Sequence, residues 1–182
     1  MSHLHHGPSC ACCTDLSALR VGRRGLLLGA GVAALLPRFA LAASGDYEAM
    51  VLGCIDPRLQ TPVYKYLDQR GLSGKYSQFT FAGAAIGAVA PKFADWHKTF
   101  WDNLAATVQL HSIKKIIAID HRDCGACRIA YGDKSTSTPE IETAQHRKVF
   151  AQFRREMAKH QPKLAVETGL MALDGQLEMM TS

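Results

Sequence analysis

The chain has 182 residues, enough for one domain and a short extension, and its 47% hydrophobic and 20% charged residues exclude a disordered polar chain. Of 21 basic residues, Arg20, Arg23, Arg24 and Arg38 lie within the first 42 positions against a single acid, Asp15, so 17 basic residues face 15 acidic ones from Ala43 onward. That near balance of +2 gives no electrostatic case for nucleic acid or an acidic membrane as a partner.

In chain order, the first 42 residues read as an address. Arg23-Arg24 stands directly before an apolar run over residues 25–36, too short for the roughly 20 residues that span a bilayer. Pro37 and Ala40-Leu41-Ala42 follow, the last fitting the small-x-small pattern at which a signal peptide is cut. The arginine pair before the run resembles a twin-arginine export signal. Residues 1–42 are therefore expected to be a signal peptide and residues 43–182 a mature, periplasmic or otherwise exported domain with no stable membrane insertion after processing. His3, His5 and His6 with Cys10, Cys12 and Cys13 could bind soft metals, but they precede the signal and would leave with it.

Residues 49–55 form an apolar run ending at Asp56-Pro57 and read as a buried strand. Residues 61–70 suit a helix, with Pro62 in its first turn and Gly71 closing it. Residues 76–81 are aromatic and strand-prone, and a small-residue stretch follows to residue 90. Beyond Pro91 a helical pattern runs to residue 110, with Phe93, Trp96, Phe100, Leu104 and Val108 spaced for one face. Residues 113–119 read as a second buried strand, 121–131 as a turn and short helix, and 139–160 as an amphipathic helix. Residues 164–173 read as the final strand, with Asp174-Gly175 making a turn. Strands alternating with helices predict an α/β fold with a mostly parallel central sheet flanked by helices.

Two motifs stand at strand ends, where reactive residues of such sheets gather. Cys54-Ile55-Asp56-Pro57-Arg58 ends the first strand and His121-Arg122-Asp123-Cys124-Gly125 ends the strand at 113–119. Two thiolates and one imidazole suit a tetrahedral Zn²⁺, and three protein ligands leave a fourth position open. Cys54, Cys124 and Cys127 are an odd number of body cysteines, so no complete disulfide framework is available there. Asp56 and Arg58 are two apart and would share a side of an extended segment, where the guanidinium keeps the carboxylate ionised.

These motifs resemble those of the β-carbonic anhydrases, which carry C-x-D-x-R after a first core strand and H-x-x-C-G after a later one. Phe81-Ala82-Gly83-Ala84 is similar to that family's glycine-containing segment, though without its Arg and Asn, and Pro57 replaces a small polar residue. The resemblance implies one Zn²⁺ per chain held by Cys54, His121 and Cys124. It also implies reversible hydration of CO₂ to bicarbonate and a proton by a zinc-bound hydroxide that the Asp56–Arg58 pair orients. It further implies a homodimer or higher homo-oligomer.

Three other readings stay open at this level. One is hydrolysis of carbonyl sulfide or carbon disulfide on the same scaffold. Another is a non-catalytic zinc protein, with Cys127 or Asp56 as fourth ligand. The third is a thiol couple between Cys124 and Cys127. His97, His111, His146 and His160 are read as surface or helix-face histidines. The leader reading predicts that N-terminal sequencing of the exported protein finds Ala43 first; a start near residue 20 would reject the proposed cut.

Overall fold

The centre of the fold follows from one run of residues that must be hidden on both sides. Ala49–Gly53 (β1) is buried at all five positions, as an inner parallel strand covered on both faces should be. The computed structural model describes residues 45–181, so the expected leader lies outside the described residues.

After β1 come a 3₁₀ turn at Pro57–Leu59, α1 (Gln60–Gln69), β2 (Tyr76–Thr80) and α2 (Ala85–Val89). A second 3₁₀ turn, Pro91–Phe93, leads into α3 (Ala94–His111) and β3 (Lys115–His121). Next are α4 (Gly125–Tyr131), a 3₁₀ turn at Asp133–Thr136, α5 (Pro139–His160), β4 (Ala165–Met171) and β5 (Leu177–Met179). The sheet order is β2-β1-β3-β4-β5, with the first four strands parallel and β5 antiparallel to β4. The α/β class and mostly parallel sheet expected from the sequence are thus what the chain forms. No helix among the described residues is long and apolar enough to cross a membrane.

Strand alternation divides the core in two. Ala49, Val51, Ile117 and Ile119 pack with Leu59, Val63 and Leu67 of the α1 side. Met50, Leu52, Ile116 and Ala118 pack on the opposite face with α2, α3 and α5, through Ile86, Phe100, Leu104, Phe150 and Phe153. Phe100 is the hub of an aromatic group, its ring centre 5.8 Å from Phe79, 5.9 Å from Phe81 and 4.7 Å from Trp101. Helix α5 starts where its sequence says it should. Thr138 Oγ1 accepts from the Ile141 N–H at 3.3 Å, Pro139 fills the first turn, and Glu140 and Glu142 sit at the positive end of the dipole.

Three expectations need correction. The helical face drawn through Trp96 is not wholly buried, because Trp96 stacks flat on Phe93 at 4.4 Å and stays 39% exposed. The strand at 164–173 is not the last, since β5 returns beyond the Asp174-Gly175 turn, too short at three residues to show a period of its own. Its Leu177 lies over Gly169, where a Cβ would stand 2.8 Å from Leu177 Cδ1. Finally, β3 extends to His121, so the second motif begins within the strand rather than after it.

Glu167 on β4 ties the end of α1 to the sheet and pairs with its neighbouring strand β3. It accepts from Arg70 Nη1 at 2.6 Å and from Lys115 Nζ at 2.8 Å, and the Arg70 guanidinium holds its carboxyl below the ordinary value. A depressed folded value means that the stabilisation is present above the unfolded value of about 4.3 and is lost as pH falls through the folded one. Glu167→Gln should therefore cost about 1 kcal/mol at neutral pH, with the gap to wild type closing in acid, as read from urea unfolding at a series of pH values.

Candidate metal centre

Parallel pairing brings the two motifs together. In the β1–β3 register Gly53 lies level with Ile119, so Cys54, one step past β1, lies beside the end of β3 where His121 stands. Cys124 arrives from the turn between β3 and α4, in which Asp123 takes a left-handed φ of 55° that reverses the chain within two residues. The Cys54 and Cys124 sulfurs and a His121 ring nitrogen all lie within 4.8 Å of one another. Three residues singled out in the sequence are thus one cluster in space.

The histidine is oriented for ligation. Its Nδ1 lies 2.8 Å from the Arg122 carbonyl, which can only accept, so Nδ1 carries a proton and the neutral ring has its lone pair on Nε2. Nε2 is buried and has no hydrogen-bond partner, which a buried polar atom rarely tolerates. The sulfurs behave as a pair. Cys54 is pulled well below its ordinary value, first by the Cys124 thiol and then by His121 and the Gly83 N–H, against its burial. Cys124 is pushed up, first by Cys54 and then by burial. Two neighbouring sulfurs beside an unpartnered imidazole nitrogen form a donor set that a borderline-soft divalent cation would complete, binding both sulfurs as thiolates and giving Nε2 a partner. The donor set fits zinc.

Asp56 stands next to this group rather than within it, with Oδ2 3.9 Å from His121 Nε2. The extended segment expected for residues 56–58 is replaced by a 3₁₀ turn with Asp56 as its N-cap. The pairing with Arg58 survives through a different geometry. Asp56 Oδ1 accepts from the Arg58 N–H at 2.9 Å and from Nε at 3.0 Å, while Oδ2 accepts from Nη2 at 2.7 Å. The guanidinium holds the Asp56 carboxyl down at about 2. Asp123, which sequence reasoning passed over, grips the other side of Arg58 by accepting from Nη1 at 2.9 Å. It accepts from Arg128 Nη1 at 2.8 Å, and its own N–H donates to Glu142 Oε1. Beside Cys54 opens a cleft of about 480 Å³, walled by Ile55, Leu59, Tyr64, Tyr76 and Gln78.

Cys127 is buried but stands outside the ligand group, its thiol donating to Ser135 Oγ at 3.5 Å. Three residues from Cys124 in sequence, it faces a different set of atoms. His146 is the plainest correction. It is wholly buried on α5, with Nδ1 2.9 Å from Asp120 Oδ2, and Asp120 is itself 1% exposed. Burial pushes the Asp120 carboxyl up; in His146 the downward pull of burial is outweighed by Asp120 and Cys127 together, which leaves the imidazole at about 9. The sequence signal for this pair was an acid inside an apolar strand, Ile119-Asp120-His121.

The match to known proteins agrees with this geometry. Residues 45–158 match the family model described as "Putative carbonic anhydrase". Uncharacterized proteins of Rickettsia conorii and Rickettsia bellii are each 33% identical over 140 residues, covering 77% of this chain and 75% and 85% of theirs. Among solved structures, β-carbonic anhydrase isoform I of Trichomonas vaginalis aligns with a TM-score of 0.51 at 16% identity, covering 89% of this chain and 99% of that one, a likeness of fold. Matched over most of its described domain, and with the Cys-His-Cys cluster inside the matched residues, the chain belongs to this carbonic anhydrase family.

Proposed function

We propose that this protein catalyses CO₂ + H₂O ⇌ HCO₃⁻ + H⁺, with one zinc per chain held by Cys54, His121 and Cys124. The observation that carries this reading is the three-donor cluster with an ionised, arginine-clamped Asp56 at its side. When bound, zinc supplies Lewis-acid activation of water, lowering its pKa to about 7. Cys54 and Cys124 would bind as thiolates and His121 through Nε2, leaving a fourth position for solvent.

Asp56 supplies orientation. Both of its oxygens are tied to Arg58, so the carboxylate keeps one place, and with its pKa at about 2 it is an acceptor at any physiological pH. Asp56 Oδ2 accepts a hydrogen bond from the attacking oxygen and gives it no proton, so the lone pair of that oxygen is directed at the carbon of CO₂. Arg58 is held from its other side by Asp123, which keeps the carboxylate from swinging away with it. The cleft walled by Ile55, Leu59 and Tyr64 offers a partly apolar approach suited to an uncharged triatomic substrate.

Assembly and location belong to the same proposal. In the sheet β2 is an outer strand with one neighbour, and Ile55 and Tyr64 beside it are 59% and 56% exposed, features suited to a homodimer or higher homo-oligomer. Export to the periplasm rests on Arg23-Arg24 and the run after it.

Stopped-flow CO₂ hydration by the zinc-loaded chain tests the reaction. Rapid hydration that disappears in Cys54→Ala is expected; no hydration at pH 7 or 9 with one zinc bound per chain rejects the reading. Arg58→Ala should lower kcat/KM by about 100-fold through misplacement of Asp56. The same variant should raise the Asp56 pKa from about 2 toward about 3.9, as followed by carboxyl ¹³C NMR of the metal-free chain.

A further inference from the structure

Asp120 and His146 have no part in the mechanism above, yet they form a buried hydrogen-bonded pair one residue from His121 of the cluster. Alternation along β3 sends His121 to one face of the sheet and Asp120 to the other, toward α2 and α5. Asp120 then makes two contacts. Oδ2 meets His146 Nδ1 at 2.9 Å, and Oδ1 accepts from the Ala85 N–H at 2.9 Å. Ala85 is the first residue of α2, and its N-cap residue Ala84 offers no side-chain cap.

The backbone just before Ala85 is under constraint. Gly83 and Ala84 have successive positive φ values of 81° and 47°, and the second of these is unfavourable for alanine. A Cβ on Gly83 would lie 2.9 Å from Ala126 Cβ and 3.0 Å from Ile86 Cβ, so the turn is pressed against α4. In this pose the Gly83 N–H donates to Cys54 Sγ at 3.3 Å. A hydrogen bond onto a ligating sulfur draws charge from it and fixes its position, the means by which outer groups orient ligands and tune a bound metal.

We propose that the buried His146–Asp120 pair is a positioning device for Cys54: by holding the Ala85 N–H it sets the Gly83–Ala84 turn and so keeps the Gly83 N–H on the Cys54 sulfur. This rests on Cys54 being a metal ligand. His146 fixes which way the carboxylate points, Asp120 anchors the turn, and the turn delivers its N–H to the sulfur. A role confined to capping α2 would leave metal affinity and the Gly83 amide unchanged.

The test uses the full chain loaded with ¹¹³Cd for NMR and with zinc for chelator competition, each beside Cys54→Ala. In the wild type the Gly83 amide proton should couple to ¹¹³Cd through the sulfur and should exchange slowly. Asp120→Ala should abolish that coupling and weaken zinc binding about 10- to 100-fold. Asp120→Asn, which keeps an acceptor for the Ala85 N–H, should restore the coupling and most of the affinity. Cadmium bound through Cys54 without coupling to Gly83 overturns the inference and leaves the zinc reading standing, and this measurement needs no variant to fold. A folded Asp120→Ala with wild-type zinc affinity and wild-type coupling overturns it as well. Metal binding indifferent to Cys54→Ala overturns the zinc reading and the inference together.

Discussion

The site depends on β1 and β3 lying side by side in the same direction. Parallel neighbours end on the same edge of a sheet, and here the last residue of β1 is level with Ile119, two residues before the end of β3. Cys54 and His121 are 67 positions apart in the sequence, yet this register makes them neighbours. Its precision matters because side chains alternate. A slip of β3 by one residue would send His121 into the core face and bring Asp120 into the cluster, so the hydrophobic pattern that locks the strand also selects the residue that joins the two cysteines. Ile116 and Ala118 on one face and Ile117 and Ile119 on the other supply that lock.

Around the Cys-His-Cys cluster, charge is arranged by depth. Near solvent, Arg58 lies between Asp56 and Asp123, and Arg128 flanks Asp123 in turn. Arg58 is 44% exposed and Asp123 49%, so water screens the attraction within each pair and their contribution is chiefly geometric. The 3₁₀ turn, the β3–α4 turn and α4 each supply a member of this chain. Deeper in, Glu142 of α5 receives the Asp123 N–H and pairs with Arg122, which ties the long helix to the turn that carries Cys124. In the core, Asp120 and His146 meet directly at 2.9 Å. A carboxyl group buried that far is tolerated only with hydrogen-bond partners, and Asp120 has two in His146 and the Ala85 N–H.

The two sides of the sheet serve different ends. The α1 face carries the cleft, since α1 starts directly after the 3₁₀ turn of Asp56 and Arg58 and its Val63 reaches the cleft wall. The α2–α5 face is the larger core, with the aromatic group centred on Phe100. The site thus sits where a hydrated edge meets two packed layers: Asp56 can stay ionised while His121, a few ångströms away, is wholly buried.

By itself the sequence determined the parts whose signal is local. Apolar runs of strand length marked β1 and β3, an amphipathic helical composition marked residues 139–160 as α5, and the spacings Cys54-Asp56-Arg58 and His121-Cys124 marked the site residues. Tertiary structure decided what depends on neighbours far away in the chain. It decided that Asp123 grips Arg58, that Cys127 faces Ser135 instead of the ligand cluster, that Trp96 stays exposed, and that β5 adds a strand too short to announce itself. His146 shows the difference most clearly. On α5 it occupies the same helical stripe as Val149, Phe150 and Phe153, a spacing that marks the covered face but not what a histidine would meet there. Its burial is offset by an acid delivered from β3, which lies 26 residues earlier in the chain.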